Sequence, residues 1–309
     1  MTLKRLPGKG ESPLPPWPGR TVDIDGQRLF VRHAGAGVPA VFVHGLGGSA
    51  TNWTDLMGLL ADEYDGHALD LPGFGRSAPP VAGDYGIDAH VRAVRGYLEQ
   101  TFDEPVHLFG NSLGGAVAVR LAATAPGLVR TLTLVSPALP SYRPKVGSDP
   151  RMPMLLVPGL ASVVVRGLSR HSAQRRTEAV IDLCFADPSG IAPERREEAI
   201  EEMRSRRSAA WYADALTLSL RGIVLEYVKP GRAYLWRQAA SLRMPTLVVH
   251  GRRDRLVPFA VGQRAARVIP GARFVAADAS GHVAQLEQPE LVARAFLDMI
   301  ANQPTAAQV

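Results

Sequence analysis

The sequence predicts an α/β fold: a mostly parallel central sheet with helices on both faces and a helical segment inserted between two of its strands. Three observations carry this expectation. Short apolar runs alternate with amphipathic stretches across residues 21–137, the alternation stops across about 138–242, and it resumes at the run PTLVVHG, residues 245–251. Strands that alternate with helices pair in parallel through crossovers, which leaves helices over both faces of the sheet.

Each element follows from local pattern. TVDIDGQRLFVRHAG reads as a hairpin turning at Asp25-Gly26, a dipeptide suited to the tightest β-turns. VPAVFVHG (38–45) is a β-branched run of the kind buried on both faces. SATNWTDLMGLLAD reads as a helix with Ser49 or Thr51 near its cap, and HALDLPG (67–73) as the next strand. Asp88 is placed to cap a helix that carries Val91, Val94, Leu98 and Phe102 on one face. The strand VHLFG (106–110), a helix over 114–125 and the strand LTLVS (132–136) complete the first half. In the insertion, 154–168 and 216–228 read as apolar helices, with a charged helix around Ile200 and Met203. A helix over 259–268, the strand ARFVAAD (272–278) and a last helix presenting Leu291, Ala295, Phe296 and Met299 end the fold. The domain reading is therefore a flexible Pro-rich tail (1–20), a core (21–137 and 243–302), a helical cap (138–242) and a C-terminal tail (303–309).

Composition excludes several classes. With 309 residues, 46% of them hydrophobic and 21% charged, the chain has material for one large core, so disorder and coiled coil drop out. The net charge of +6 raises a nucleic-acid role, but the densest basic group, around Arg195 to Arg207, is interleaved with Glu197, Glu198, Glu201 and Glu202 at helical spacing. Such interleaving suits ion pairs along a solvated helix, so no nucleic-acid partner is expected. No apolar run is long enough to span a membrane, and the basic start lacks a signal-type apolar region, which points to a cytoplasmic protein. Any membrane contact is expected to be a weak surface one through the cap. The single Cys184 allows no internal disulfide, and no metal is expected because His-Glu-x-x-His and clustered ligand spacings are missing.

The sharpest signal is LFGNSLGG, in which Gly110, Ser112 and Gly114 form G-x-S-x-G between a strand and a helix. Such a turn lifts the serine hydroxyl out of the sheet beside a helix N-terminus, and its flanking positions lie too close to backbone for a Cβ. A serine needs a base, and the base an orienting acid. Of eight histidines, His282 in DASGHVAQLEQPE is distinguished by a polar loop after the last strand. His44 and His250 each end a strand as Val-His-Gly, which suits a backbone-holding role. Asp254 in HGRRDRLVP follows its strand at the same carboxyl edge and is preferred over Asp278, which belongs to a strand end. The chain order Ser112, Asp254, His282 matches that of a strand-elbow serine nucleophile with its acid and base. Asp70 and Arg76 read as scaffold, Glu287 as a first-turn carboxylate of the last helix, and Trp53 and Val283 as candidate substrate contacts.

Taken together, HGLGGS (44–49), DLPGFGRS (70–77), GNSLGG (110–115), HGRRDRLVP and GHVAQLEQPE resemble the α/β-hydrolase fold family, in its serine-nucleophile, helical-cap form. The resemblance implies an oxyanion hole from the backbone N–H groups of Leu46 and Leu113, and no cofactor. Serine at position 112 departs from the carboxylate nucleophile of epoxide hydrolases and haloalkane dehalogenases. The first expectation is hydrolysis of a carboxylic ester of a small, hydrophobic substrate. The alternatives are a carbon-carbon hydrolase of aromatic ring-fission products, a thioesterase or acyltransferase, and a non-enzymatic ligand-binding relative. The ring-fission group resembles this chain in GNSLGG and GHVAQLE but carries tryptophan after its catalytic histidine, where this chain has Val283.

Overall fold

A hairpin opens the sheet in the computed structural model, which describes residue 6 and residues 13–141, 171–208 and 211–302. Strands β1 (Gly19–Ile24) and β2 (Gln27–Ala34) meet at Asp25 and Gly26, whose φ angles of 51° and 83° are those a two-residue turn between twisted strands requires. The Gly26 amide donates to Asp23 Oδ1 at 2.7 Å and pins the turn. Six strands follow: β3 (Val38–Val43), β4 (Tyr64–Leu69), β5 (Val106–Asn111), β6 (Val129–Val135), β7 (Thr246–Gly251) and β8 (Arg273–Ala277). Their spatial order is β1-β2-β4-β3-β5-β6-β7-β8. Among the described residues, the β1/β2 and β2/β4 pairs are antiparallel and the other strand pairs are parallel.

Alternation along the central strands builds two apolar layers. Val41 and Val43 of β3 join one cluster, while Ala40 and Phe42 join the other. The first layer packs against helices α1 (Ile87–Thr101) and α2 (Leu113–Thr124), whose Leu98, Val117 and Leu121 are buried. The second is closed by the helix Thr54–Leu60 and the last helix, Pro289–Ala301. Between β6 and β7 the described residues hold helices and turns and no strand: Ala173–Cys184, Pro193–Ser208, Tyr212–Leu225 and Leu235–Ser241. The charged helix is laced with ion pairs as its spacing implies, including Arg206 to Glu202 at 3.0 Å and Arg204 to Glu201 at 2.9 Å. No helix among the described residues is long and apolar enough to cross a membrane.

Some expectations need correction. The N-cap of Ile87–Thr101 is Gly86; Asp88 sits inside the first turn and pairs with Arg120 and Lys229 instead. The tail drawn through residue 20 is too long: Gly19 and Arg20 belong to β1, and the Trp17 indole donates to the Thr54 carbonyl at 3.0 Å. The helix expected over 154–168 lies outside the described residues, and the helices Ala173–Cys184 and Leu235–Ser241 were not expected.

The insertion is tied to helices α1 and α2 by a charge cluster around the buried Arg120–Glu226 pair. Arg120, on α2, reaches Glu226 with both terminal nitrogens at 3.0 and 2.5 Å, and also bonds Asp88 and the Ala233 carbonyl. Lys229 approaches Glu226 at 2.7 Å from the other side. Removing one member of a buried pair strands its partner's charge, which costs about 3–5 kcal/mol. Arg120→Ala is therefore expected to lower unfolding free energy by about that much in urea melts. A paired replacement of Arg120 and Glu226 by apolar residues should recover most of the loss, since removing both charges leaves none unpaired.

Candidate active site

Ser112 stands between β5 and α2 with φ 53° and ψ −114°, a backbone that L-residues other than glycine rarely adopt. Close packing holds it there. A Cβ at Gly110 would run into the Gly114 carbonyl, and one at Gly114 into the Val43 carbonyl, so the strand and helix backbones meet with no room for a side chain. The Ser112 amide donates to the Val135 carbonyl at 3.1 Å, and its carbonyl accepts from Ala138 at 2.9 Å. The end of β6 and the segment that follows it thereby fix the turn.

Asp254 lies in the loop after β7, 1% exposed. Its Oδ1 accepts from the amides of Leu256 and Val257 at 2.8 and 2.9 Å, and its Oδ2 faces His282 Nδ1 at 2.9 Å. Burial alone would raise its carboxyl, but the charge of His282 and hydrogen bonds from His250 and His282 outweigh that and hold it well below the usual carboxylate range. With Nδ1–H of His282 donating to this carboxylate, the other ring nitrogen carries the free electron pair. Asp278, the rival acid, is an exposed residue paired with Arg252 at 2.5 Å.

The Asn111 side chain brings the serine and histidine loops together. Asn111, immediately before Ser112, donates from Nδ2 to the Val135 carbonyl at 3.0 Å and to the His282 carbonyl at 3.1 Å. Ser112 and His282 line one cavity of about 2080 Å³, whose lining also includes Leu46, Ala138, Leu139, Leu216, Val257 and Val283. A Cβ built on Gly45 would lie 3.1 Å from Ser112 Cβ, which puts the start of the 45–48 loop, and with it Leu46, against the serine. Leu113 opens α2 directly after Ser112, and its side chain is buried in the core.

The buried His44 fixes that loop from below, donating from Nδ1 to the Gly45 carbonyl at 2.7 Å and accepting the Leu71 amide on Nε2 at 2.9 Å. Burial pushes its imidazole down to about 4, so it is neutral near pH 7, as a ring that both donates and accepts must be. His250 holds the acid loop through the Val257 carbonyl at 3.2 Å. Asp70 is scaffold: it accepts the Ala50 and Arg76 amides at 2.7 and 2.8 Å, and burial raises its carboxyl to about 6 against their pull. Burial also pushes the Cys184 thiol up to about 12, which keeps it a neutral, unreactive group.

Two assignments change. Trp53, expected as a substrate contact, is fully buried in the second apolar layer, with its ring 5.4 Å from Phe42 and 6.4 Å from Phe109, and does not border the cavity. The turn Ala50–Trp53 directs the indole toward the sheet, where burying a large ring is worth most. Glu287, expected to sit in the first turn of the last helix, ends the preceding short turn Ala284–Glu287 and accepts the Gly281 amide at 2.6 Å and the Ala186 amide at 2.7 Å. With the bond from the His282 amide to the Cys184 carbonyl, also 2.6 Å, it straps the end of Ala173–Cys184 to the histidine loop. Sequence gave no signal for this, because the strapped segments lie about a hundred residues apart.

Comparisons with known proteins agree with this architecture. The chain is 29% identical over 270 residues to the dihydrolipoyllysine-residue acetyltransferase component of the acetoin cleaving system of Cupriavidus necator, covering 86% of this chain and 64% of that one. It is 28% identical over 282 residues to a 2-hydroxy-6-oxononadienedioate/2-hydroxy-6-oxononatrienedioate hydrolase of Cupriavidus pinatubonensis, covering 89% and 91%. The fold resembles the crystal structure of a putative lipase from Acinetobacter baumannii, with a TM-score of 0.75 at 21% identity and 93% of each chain covered. A family model described as the alpha/beta hydrolase fold matches residues 39–289, most of the length. The chain belongs to the alpha/beta hydrolase fold family.

Proposed function

We propose that Ser112, His282 and Asp254 serve as nucleophile, general base and orienting acid of a serine hydrolase that cleaves a bond beside a carbonyl carbon. The observation that carries this is the Asp254–His282 hydrogen bond at the rim of the cavity that Ser112 also lines. In the first step the Ser112 proton passes to His282 as Oγ bonds the carbonyl carbon, and the amides of Leu46 and Leu113 hold the oxyanion. As the tetrahedral centre collapses, the leaving group takes its bonding pair and the proton from His282. Water, deprotonated by His282, then releases the acyl group and restores the serine. The helices between β6 and β7 act as a cap that shapes the substrate space.

For the bond itself, the carbon-carbon reading now stands ahead of the ester reading, because the Cupriavidus pinatubonensis relative, matched over nearly its whole length, is named for such a substrate. In a vinylogous diketone the departing carbon carries its electron pair as an enolate conjugated to the second carbonyl, which makes it a competent leaving group. The ester reading keeps one specific support: Val283 and its apolar neighbours present no counterpart to the tryptophan of ring-fission hydrolases.

A panel of 2-hydroxy-6-oxo-dienoates and p-nitrophenyl esters separates the two readings. A higher kcat/KM on a dienoate is the expected result, and a higher value on an ester with a chain-length optimum would reverse the order. Fluorophosphonate is expected to form a covalent adduct at Ser112, read by peptide mass. Folded protein that neither forms the adduct nor turns over any panel member would overturn both and leave a ligand-binding role.

A further inference from the structure

A cluster outside this site is built like a cation centre. In the antiparallel β2/β4 pair, His33 stands directly opposite His67. Asp65 precedes His67 by two residues on the same strand and so projects from the same face. One ligand atom from each of His33, Asp65 and His67 falls within 4.8 Å of the others. Asp65 bridges the two rings: one carboxylate oxygen contacts His33 Nε2 and the other lies 3.1 Å from His67 Nε2.

His67 is held in a fixed orientation. It is 8% exposed, and its buried Nε2 faces the shared carboxylate at 3.1 Å. Its other nitrogen, Nδ1, is engaged by the Tyr97 hydroxyl at 2.6 Å, and the Phe102 ring packs edge-on at 5.0 Å. A ring held through Nδ1 while Nε2 points at a carboxylate shared with a second imidazole is an arrangement that suits a metal between them, the outer hydrogen bond fixing ring position. Bonds of about 2.0–2.1 Å to nitrogen and oxygen in a tetrahedral site put neighbouring ligand atoms about 3.3 Å apart, so small side-chain rotations would close this set around an ion. His33 is exposed and gives the ion its entry. The opposing charge is Arg20, whose field reaches His67 from β1.

We infer that His33, Asp65 and His67 form a binding site for a borderline divalent cation, zinc first, that clamps β2 to β4, with water as the fourth ligand. Two imidazoles and one carboxylate, with no thiolate, fit zinc better than calcium or magnesium, which favour all-oxygen shells. The site is independent of the proposed hydrolase chemistry.

The test uses the full chain, free of any affinity tag and stripped of metal, titrated with zinc against a chromophoric chelator. One zinc per chain is expected, and cobalt in its place should give the intense visible absorption of a tetrahedral site. His33→Ala and Asp65→Asn change partly exposed groups, and circular dichroism checks that they fold. Each should weaken zinc binding more than roughly tenfold, and Tyr97→Phe, which removes only the outer hydrogen bond, by about tenfold. Wild-type protein that binds no zinc in competition, or binds it as tightly as the His33→Ala/Asp65→Asn double variant, would overturn the assignment.

Discussion

Ser112→Ala is expected to lower kcat by about 10⁶, the loss that removal of a serine nucleophile causes when its histidine and acid remain. The size follows from the mechanism: without Oγ there is no acyl-enzyme, and His282 has no proton to accept. A residual rate of about 10³–10⁴ over water should persist, because the oxyanion hole proposed at the Leu46 and Leu113 amides is left in place. Alanine keeps the Cβ, so the φ of 53° at this turn is equally strained in both proteins and the thermal midpoint should barely move. Single-turnover kinetics on the best panel substrate, with a melting curve on the same sample, check both halves. A loss of activity accompanied by a large fall in the midpoint would point to a collapsed turn rather than a missing nucleophile.

Asp254→Asn is expected to cost about 10⁴ in kcat with folding intact. In the wild type Oδ2 accepts from His282 Nδ1 while Oδ1 takes two backbone amides. An asparagine keeps its carbonyl oxygen on those amides and turns its NH₂ toward His282, which moves the ring proton to the other nitrogen and removes the base. The pH dependence has a definite sign. Because the folded carboxyl is held below its ordinary value of about 3.9, its ionisation stabilises the native state above that value and the gain is lost as pH falls toward the lowered folded one. Unfolding midpoints of wild type and Asp254→Asn should therefore converge on acidification below about pH 4. The acid limb of the activity profile should not belong to Asp254, which stays ionised over that range.

Most of the sheet was legible because each strand carries its own local signal. The β-branched runs at β3 and β7, the Asp25-Gly26 turn and the glycine spacing around Ser112 are short-range features, and the structure places them where the sequence implies. Asp254 and His282 were legible through position, each falling in a loop at the carboxyl edge of its strand. What failed depends on long-range partners. Asp88 looks like a cap until Arg120 and Lys229 claim it. Trp53 looks like a pocket residue until Phe42 and Phe109 enclose it. The His33, Asp65 and His67 cluster has no motif in the chain, because its members meet only across a strand pair. The insertion was read coarsely for a related reason: its helices have little β-alternation to mark their ends, and Ala173–Cys184 mixes charged and apolar residues along its length.

The strap at residues 184–186 bears on how new substrate ranges could be engineered. The His282 amide and Glu287 grip the end of Ala173–Cys184 and the two residues that follow it, so a chimera that swaps the whole insert for a donor's would also replace half of the joint steadying the imidazole. Crossovers placed after Ala186 would keep that joint native while exchanging Pro193–Ser208 and Tyr212–Leu225, the helices that border much of the cavity. Selectivity could then be redrawn as a separate module, with the proton-transfer geometry left in its parental form.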